Sequence, residues 1–187
     1  MRLIVGITGA TGAVYGIRLL EVLRDKGVES HLIVTEWGER TIALETEYSV
    51  EYVKSLASQV HSPSDLAASI SSGSYPVKGM AIVPCSMKTL SAIAHGYSES
   101  LVARAADVTI KEHRPLVLVA RETPLSAIHI ENMLNLSRLG VTVMPPMPAF
   151  YFRPQSIDDL VNHLVGKILD RFEIDNDLFP RWDASNH

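Results

Sequence analysis

The chain has 187 residues, 47% hydrophobic and 20% charged, with a net charge of −4, which suits one globular domain with a sizeable core and argues against a nucleic-acid or membrane-surface binder. No run of about 18 apolar residues exists to span a membrane, and Met1-Arg2-Leu3-Ile4-Val5-Gly6 enters a strand-like segment without the apolar stretch of a signal peptide. With one cysteine, Cys85, neither an internal disulfide nor a zinc site of cysteine pairs can form, and a reducing cytoplasm is the expected location.

Leu3 to Ile7 is a short β-branched run bounded by Thr8-Gly9, and it predicts a buried strand. Val14, Ile17, Leu20 and Leu23 follow at helical spacing, so Ala13 to Lys26 is a predicted helix closed by Gly27. His31 to Val34 predicts a second strand and Glu36 to Glu47 a helix. From Ser49 to Gly79 the periodicity is weak and assigns no element. Met80 to Val83 is the third strand, stopped by Pro84, and helices follow over Ser86 to Tyr97 and Leu101 to His113. Leu116 to Ala120 is the fourth strand, Ser126 to Leu139 a helix ended by Gly140, and Val141 to Met144 the fifth strand, stopped by Pro145-Pro146. Ser156-Ile157-Asp158-Asp159 has the form of a capping box and opens a helix to about Phe172, with an irregular polar tail from Glu173.

Strands and helices alternate, and the strands are continuous apolar runs rather than alternating ones. That is the pattern of a parallel sheet covered on both faces: an α/β, three-layer αβα, Rossmann-like or flavodoxin-like single domain over residues 1–187. Such sheets bind ligands outside the carboxyl ends of their strands. Thr8-Gly9-Ala10-Thr11-Gly12 follows the first strand, Thr35 the second and Pro84-Cys85-Ser86-Met87-Lys88-Thr89 the third. Arg121-Glu122 follows the fourth, and Phe150-Tyr151-Phe152 comes soon after the fifth. Hydroxyls, a cation, a carboxylate and aromatics are therefore expected on one rim.

The glycine-rich loop opens a helix, so its amides suit a phosphate, although a ligand-free tight turn would use the same residues. Its spacing, Gly6-x-x-Gly9-x-x-Gly12, matches neither the dinucleotide fingerprint nor a P-loop. Ser86 could serve a ligand or simply cap its helix. Cys85 follows a proline and has no base beside it, which favours a buried structural thiol over a nucleophile. Arg104 and Lys111, seven residues apart, share one helix face, which is more often a solvated basic face than a site; Lys111 could pair with Glu112. The seven histidines form no metal-binding pair in sequence, so no metal is expected, and Asp158-Asp159 is better explained as a helix start.

The blocks Gly6-Ile7-Thr8-Gly9-Ala10-Thr11-Gly12-Ala13, Pro84-Cys85-Ser86, Arg104-Ala105-Ala106-Asp107-Val108, Lys111 to Leu118, Arg121-Glu122-Thr123-Pro124, Phe150 to Ser156 and Pro180-Arg181-Trp182 occur in that order. Together they resemble the UbiX-type flavin prenyltransferases, over almost the whole chain. The resemblance implies transfer of a dimethylallyl unit from dimethylallyl phosphate to N5 and C6 of reduced FMN, without a metal. It implies prenylated FMN as product, UbiD-type decarboxylases as recipients, and a homo-oligomer, commonly a dodecamer, with active sites at subunit contacts. It places Gly9, Ala10, Thr11, Thr35, Ser86, Met87, Lys88, Thr89 and Arg121 on FMN. Lys111, Tyr151, Lys167 and Arg181 fall around the prenyl phosphate, Arg104 and Glu122 nearby, and Glu45 near the reacting atoms. Thr11 and Thr35 stand where members often carry Ser, and Lys167 where many carry Arg, which gives up bidentate phosphate recognition.

Three other readings compete. Related flavoproteins that oxidatively decarboxylate cysteine-like substrates use an Asn-containing loop and a catalytic His, but Pro84 to Thr89 contains no Asn. A nucleotide-binding reductase would share Gly9-Ala10-Thr11-Gly12, yet no Y-x-x-x-K pair is present. A non-catalytic flavin-binding subunit of a decarboxylase would bind flavin without turnover.

Overall fold

The computed structural model describes residues 1–182. In chain order the elements are β1 (Arg2–Ile7), α1 (Ala13–Asp25), β2 (Glu29–Val34), α2 (Glu36–Glu45), α3 (Val50–Ser55), β3 (Gln59–His61), a 3-10 turn (Ser69–Ser71) and β4 (Gly79–Cys85). There follow α4 (Met87–Ala94), α5 (Leu101–Lys111), β5 (Leu116–Ala120), α6 (Ala127–Arg138), β6 (Thr142–Val143) and α7 (Ile157–Arg171). All six strands run parallel, in the order β3-β2-β1-β4-β5-β6. The chain builds outward from β1 in one direction and resumes at β4 in the other. The crevice between β1 and β4 is therefore the topological switch point, where such sheets leave room for a ligand.

The sheet is covered on both faces, as its apolar strands require. Leu3, Val5 and Ile7 pack with Ile17, Leu20 and Leu23 of α1 and Val165, Ile168 and Leu169 of α7. Ile4, Met80 and Ile82 pack on the other face with Leu90 of α4 and Val102, Ala105 and Ala106 of α5. Each fully buried Leu or Ile contributes about 1.5–3 kcal/mol relative to exposure.

Two expectations are corrected. There are six strands rather than five, because the weakly patterned stretch after Ser49 contains α3 and the edge strand β3. β3 is held by polar contacts rather than by burial: His31 Nδ1 lies 2.9 Å from His61 Nε2, and Ser30 and Ser58 exchange backbone-to-hydroxyl hydrogen bonds of 3.1 and 3.3 Å. Pro84 does not stop its strand either. Its peptide bond with Val83 is cis, and β4 continues to Cys85, which pairs with Ala120.

Thr35, Ser49, Ser86, Ser100, Ser126 and Ser156 each cap a helix by accepting a backbone N–H with the side chain. The expected box at α7 is present: Ser156 Oγ accepts from Asp159 N, and Asp159 accepts from Ser156 N. Only α1 departs. Its N-cap is Gly12 at φ 105°, a conformation that suits glycine, and it has no side chain to cap with.

Candidate functional site

The carboxyl ends of β1 and β4 are joined by Thr8. Its hydroxyl donates to Pro84 O at 2.9 Å and accepts from Ser86 N at 2.8 Å, and its own N–H donates to Pro84 O at 3.2 Å. This clamp fixes the glycine loop against the start of α4. Ser86 Oγ accepts from Thr89 N at 3.3 Å and donates to Thr89 Oγ1 at 3.1 Å, so both hydroxyls are engaged in capping. Met87 and Lys88 occupy the first two positions of α4, where amides have no intrahelical acceptor. Thr35 does the same for α2, accepting from Gly38 N at 3.1 Å, and leaves the amides of Glu36 and Trp37 in the same condition.

The start of α1 differs from expectation. Glu45, at the end of α2, places Oε2 2.8 Å from Gly12 N and 3.3 Å from Ala13 N. A carboxylate of the chain itself thus occupies the anion position at the helix N-terminus that the sequence offered to a phosphate. The loop amides of Gly9 and Thr11 make no hydrogen bond among the described residues, whereas Ala10 N donates to Thr8 O at 2.8 Å.

These ends surround a cleft of about 690 Å³. Gly9, Thr35, Ser86, Met87, Lys88, Thr89 and Glu122 line it, with Glu36, Trp37, Pro63, Ser64, Ala92, Tyr97, Glu99, Ser100 and Val102. The size is that of sites that enclose most of a cofactor-sized ligand. Lys88 has no carboxylate within ion-pair distance among the described residues, and neither does Arg121, whose N–H donates to Cys85 O at 3.2 Å beside the cleft. Three carboxylates share the cleft, but each has a partner. Glu36 accepts from Arg40, Glu99 from Tyr97 Oη, and Glu122 from Thr123 N.

Trp37 is 61% exposed and forms one wall. Arg40 lies over its ring at 4.6 Å, and a Cβ at Gly9 would stand 2.4 Å from Trp37 Cβ, so Gly9 is needed for this close approach. Cys85 is fully buried, and burial pushes its thiol far above the ordinary range, which agrees with a structural thiol.

The aromatic run after β6 does not join this rim. Tyr151 folds over α7 instead, with Oη 3.1 Å from His163 Nε2 and its ring edge-on to Phe152, His163 and Trp182. Arg181 lies beside this cluster and forms a bidentate pair with Asp170 at 2.5 and 2.8 Å, holding that carboxyl below its usual range. Lys167 lies near enough to act on both His163 and Asp170. The His163 imidazole is pushed down by burial first, then by Lys167 and Arg181.

Lys111 is farther away. It ends α5, whose first residues line the cleft, so about 16 Å of helix separates it from that rim. It pairs with Glu112 at 2.5 Å, as its sequence position allowed, and Arg104 pairs with Asp107 at 3.0 Å.

Of the residues singled out in the sequence, the cleft gathers Gly9, Thr35, Ser86 to Thr89 and Glu122. Ala10, Thr11, Glu45 and Arg121 flank it. Tyr151, Lys167 and Arg181 form a separate cluster over α7, to which only Lys167 belongs, and Lys111 stands at the opposite edge of the sheet. The single-rim expectation is corrected to that extent. Trp37, Tyr97 and His163 were not anticipated. Trp37 had a signal, since it lies two residues past a strand-ending N-cap. Among the described residues no group of three or more His, Cys, Asp or Glu could hold a metal, and His187 lies outside them. No helix of the described residues is long and apolar enough to cross a membrane.

The Flavoprotein family model matches residues 1–169. A probable UbiX-like flavin prenyltransferase of Streptomyces sp. (strain D7) is 58% identical over 183 residues, covering 97% of this chain and 92% of that protein. The crystal structure of AnUbiX (PadA1) in complex with FMN and dimethylallyl pyrophosphate superposes with a TM-score of 0.96 at 51% identity, covering 98% of this chain and 97% of that one. A dodecameric FMN-dependent UbiX-like decarboxylase from Escherichia coli O157:H7 does so with a TM-score of 0.96 at 55% identity, covering 98% and 100%.

Proposed function

We propose that this chain, which belongs to the UbiX-like flavin prenyltransferase family, transfers a dimethylallyl group from dimethylallyl phosphate to N5 and C6 of reduced FMN. The observation that carries this reading is the cleft at the β1–β4 switch point, in a chain so similar to a relative solved with FMN and dimethylallyl pyrophosphate. The cleft suits a phosphate-bearing planar ligand. It offers free amides at Gly9 and at the starts of α2 and α4, Lys88 without a carboxylate partner and an aromatic wall, with the Thr11 amide and Arg121 flanking it.

Gly9, Ala10, Thr11, Thr35, Ser86 to Thr89 and Arg121 would hold FMN, with Arg104 nearby. Reduced flavin, when bound, supplies the nucleophilic N5 and C6. Lys111, Tyr151, Lys167 and Arg181 would hold the prenyl phosphate. As the allylic C–O bond breaks, phosphate leaves with the electron pair, and these donors stabilise its growing charge. Aromatic walls stabilise the cationic prenyl group and keep water from it. Glu45, Glu122 or the released phosphate would move the proton lost from C6 and the one exchanged at N5.

Lys111 lies remote from the cleft of its own chain. A homo-oligomer that brings Lys111 of one copy to the cleft of another resolves that distance, and a dodecamer is the proposed form. The product would serve a UbiD-type decarboxylase, and the cytoplasm is the proposed location.

The test is to mix the protein anaerobically with reduced FMN and dimethylallyl phosphate and weigh the flavin. Gain of one five-carbon unit is expected. Retained flavin with no gain would overturn the prenyltransferase reading and leave a non-catalytic flavin-binding subunit.

A further inference from the structure

We infer that His163 is a positioning residue for the prenyl donor, acting through the hydroxyl of Tyr151, and that it couples donor binding to uptake of a proton. The inference rests on the proposed reading that Tyr151, Lys167 and Arg181 hold the donor's phosphate. The Tyr151 hydroxyl has one proton to give and lone pairs to receive. Its hydrogen-bond partner is His163 Nε2, at 3.1 Å.

The imidazole is fixed by its neighbours. Phe152 lies parallel to it with centroids 5.1 Å apart, and Phe179 meets it edge-on at 4.6 Å. The charged or titratable groups facing it are Lys167 one turn along α7, Arg181 from the tail and Tyr151 from the preceding loop. Among the described residues, Asp170 is engaged by Arg181, and Asp159, one turn back along α7, accepts from Gln155 N and Ser156 N. Burial and the two cations therefore push the His163 imidazole below its ordinary range in the free protein, which favours its neutral form.

A neutral imidazole can hold either tautomer. If Nε2 is bare, it takes the Tyr151 proton and turns the hydroxyl away from a ligand. If Nε2 carries hydrogen, it donates to Tyr151 and leaves the phenolic O–H free to point outward. A phosphate docking beside Lys167 and Arg181 offsets their repulsion and favours the imidazolium, which can only donate. Donor binding and protonation of His163 thus reinforce each other, and by linkage the donor's affinity falls as pH rises through the imidazole's pKa in the complex.

The experiment measures kcat and KM for dimethylallyl phosphate, with reduced FMN saturating, between about pH 6 and pH 8, the window around an ordinary imidazole. Wild type, His163→Phe, Tyr151→Phe and the double variant are compared. The donor's own second ionisation near pH 6 is common to all and cancels in the ratios. Phenylalanine keeps the ring packing of position 163, and FMN retention reports folding.

His163→Phe is expected to raise KM about fivefold at the acidic end, the size of one hydrogen bond. That excess should shrink towards the alkaline end, with kcat changed less than about twofold, under half of one hydrogen bond's worth. The double variant should be no worse than Tyr151→Phe. His163→Gln, which keeps a donor near the Nε2 position, should recover KM without its pH dependence, and it serves if the Phe variant loses FMN. Parallel KM curves for wild type and His163→Phe, or additive losses in the double variant, overturn the inference while the proposed function stands. A wild type that holds FMN and transfers nothing overturns both.

Discussion

Glu45 is expected to do two separable things, and two substitutions separate them. Its carboxylate accepts from Gly12 N at 2.8 Å and Ala13 N at 3.3 Å, at the one helix whose N-cap has no side chain. Glu45→Ala removes a cap worth about 1 kcal/mol and a charge–dipole interaction of about 0.3–1 kcal/mol. Glu45 is exposed, so water replaces part of the loss and the low end of that sum is expected, about 1–1.5 kcal/mol. For a chain of this size that lowers Tm by about 2–6 °C. Glu45→Gln keeps an acceptor oxygen and should lose only the charge–dipole part. If the carboxylate also carries the proton in prenyl transfer, both variants lose about 10²–10⁴-fold in single-turnover rate. Melts at one fixed protein concentration and single-turnover flavin mass measurements check this, because assembly otherwise shifts the apparent Tm. An alanine variant that melts with wild type would refute the capping argument. A glutamine variant at wild-type rate would refute the proton role.

Lys88→Ala and Arg121→Ala should each weaken FMN binding about tenfold or more, the worth of a charge-assisted hydrogen bond, with riboflavin affinity unchanged; fluorescence titration with both flavins checks it. The Asp170 carboxyl is held low mainly by its hydrogen bond from Arg181, so its contribution is present above the ordinary carboxyl range and is lost as pH falls below about 4. Acidification should therefore release the tail and change Trp182 fluorescence, whereas Asp170→Asn should show the released signal already at neutral pH. Gly16→Ala would put a Cβ 2.3 Å from Val83 O and 3.0 Å from Ile7, costing about 1–3 kcal/mol in a thermal melt and loosening FMN, because β4 carries Ser86 at its end. Lys111→Ala and Arg121→Ala proteins, each impaired at an FMN concentration that fills only the wild-type site, should regain prenyl transfer when dissociated and reassembled together if the two residues serve one site from different copies; no recovery would refute that arrangement.

The parallel sheet and the residues lining the cleft at its carboxyl edge were legible because both follow from local rules. Continuous apolar runs mark strands buried on both faces, and ligands gather where those strands end. β3 was illegible because three half-exposed residues carry no burial pattern, and His31, Ser30 and Ser58 hold it by contacts distant in sequence. The Glu45 cap was hidden for the same reason: it spans more than 30 residues and appears only once α2 lies against α1. Pro84 misled because proline usually marks a strand's end, whereas here β4 runs on to Cys85, which pairs with Ala120.

The place of Lys111 could have been read from the sequence, and its consequence goes furthest. A crossover helix returns from the carboxyl edge of a parallel sheet to the amino edge, so its last residue must lie far from the rim where its first residue lies. Sharing a face with Arg104 settles direction around the helix axis, not height along it. Lys111 ends α5 just before β5 begins, and so belongs to the amino edge of its own chain. Lys167 and Arg181 stand on a third face, over α7. A phosphate held by all of these cations at once would need contributions from more than one copy of the chain. The exposed Ile128, Ile130 and Leu134 of α6, with Met147 and Phe150 beyond it, supply apolar surface of the kind that such contacts bury. Assembly is then a condition of the proposed chemistry, because only it can close the distance between Lys111 and the cleft.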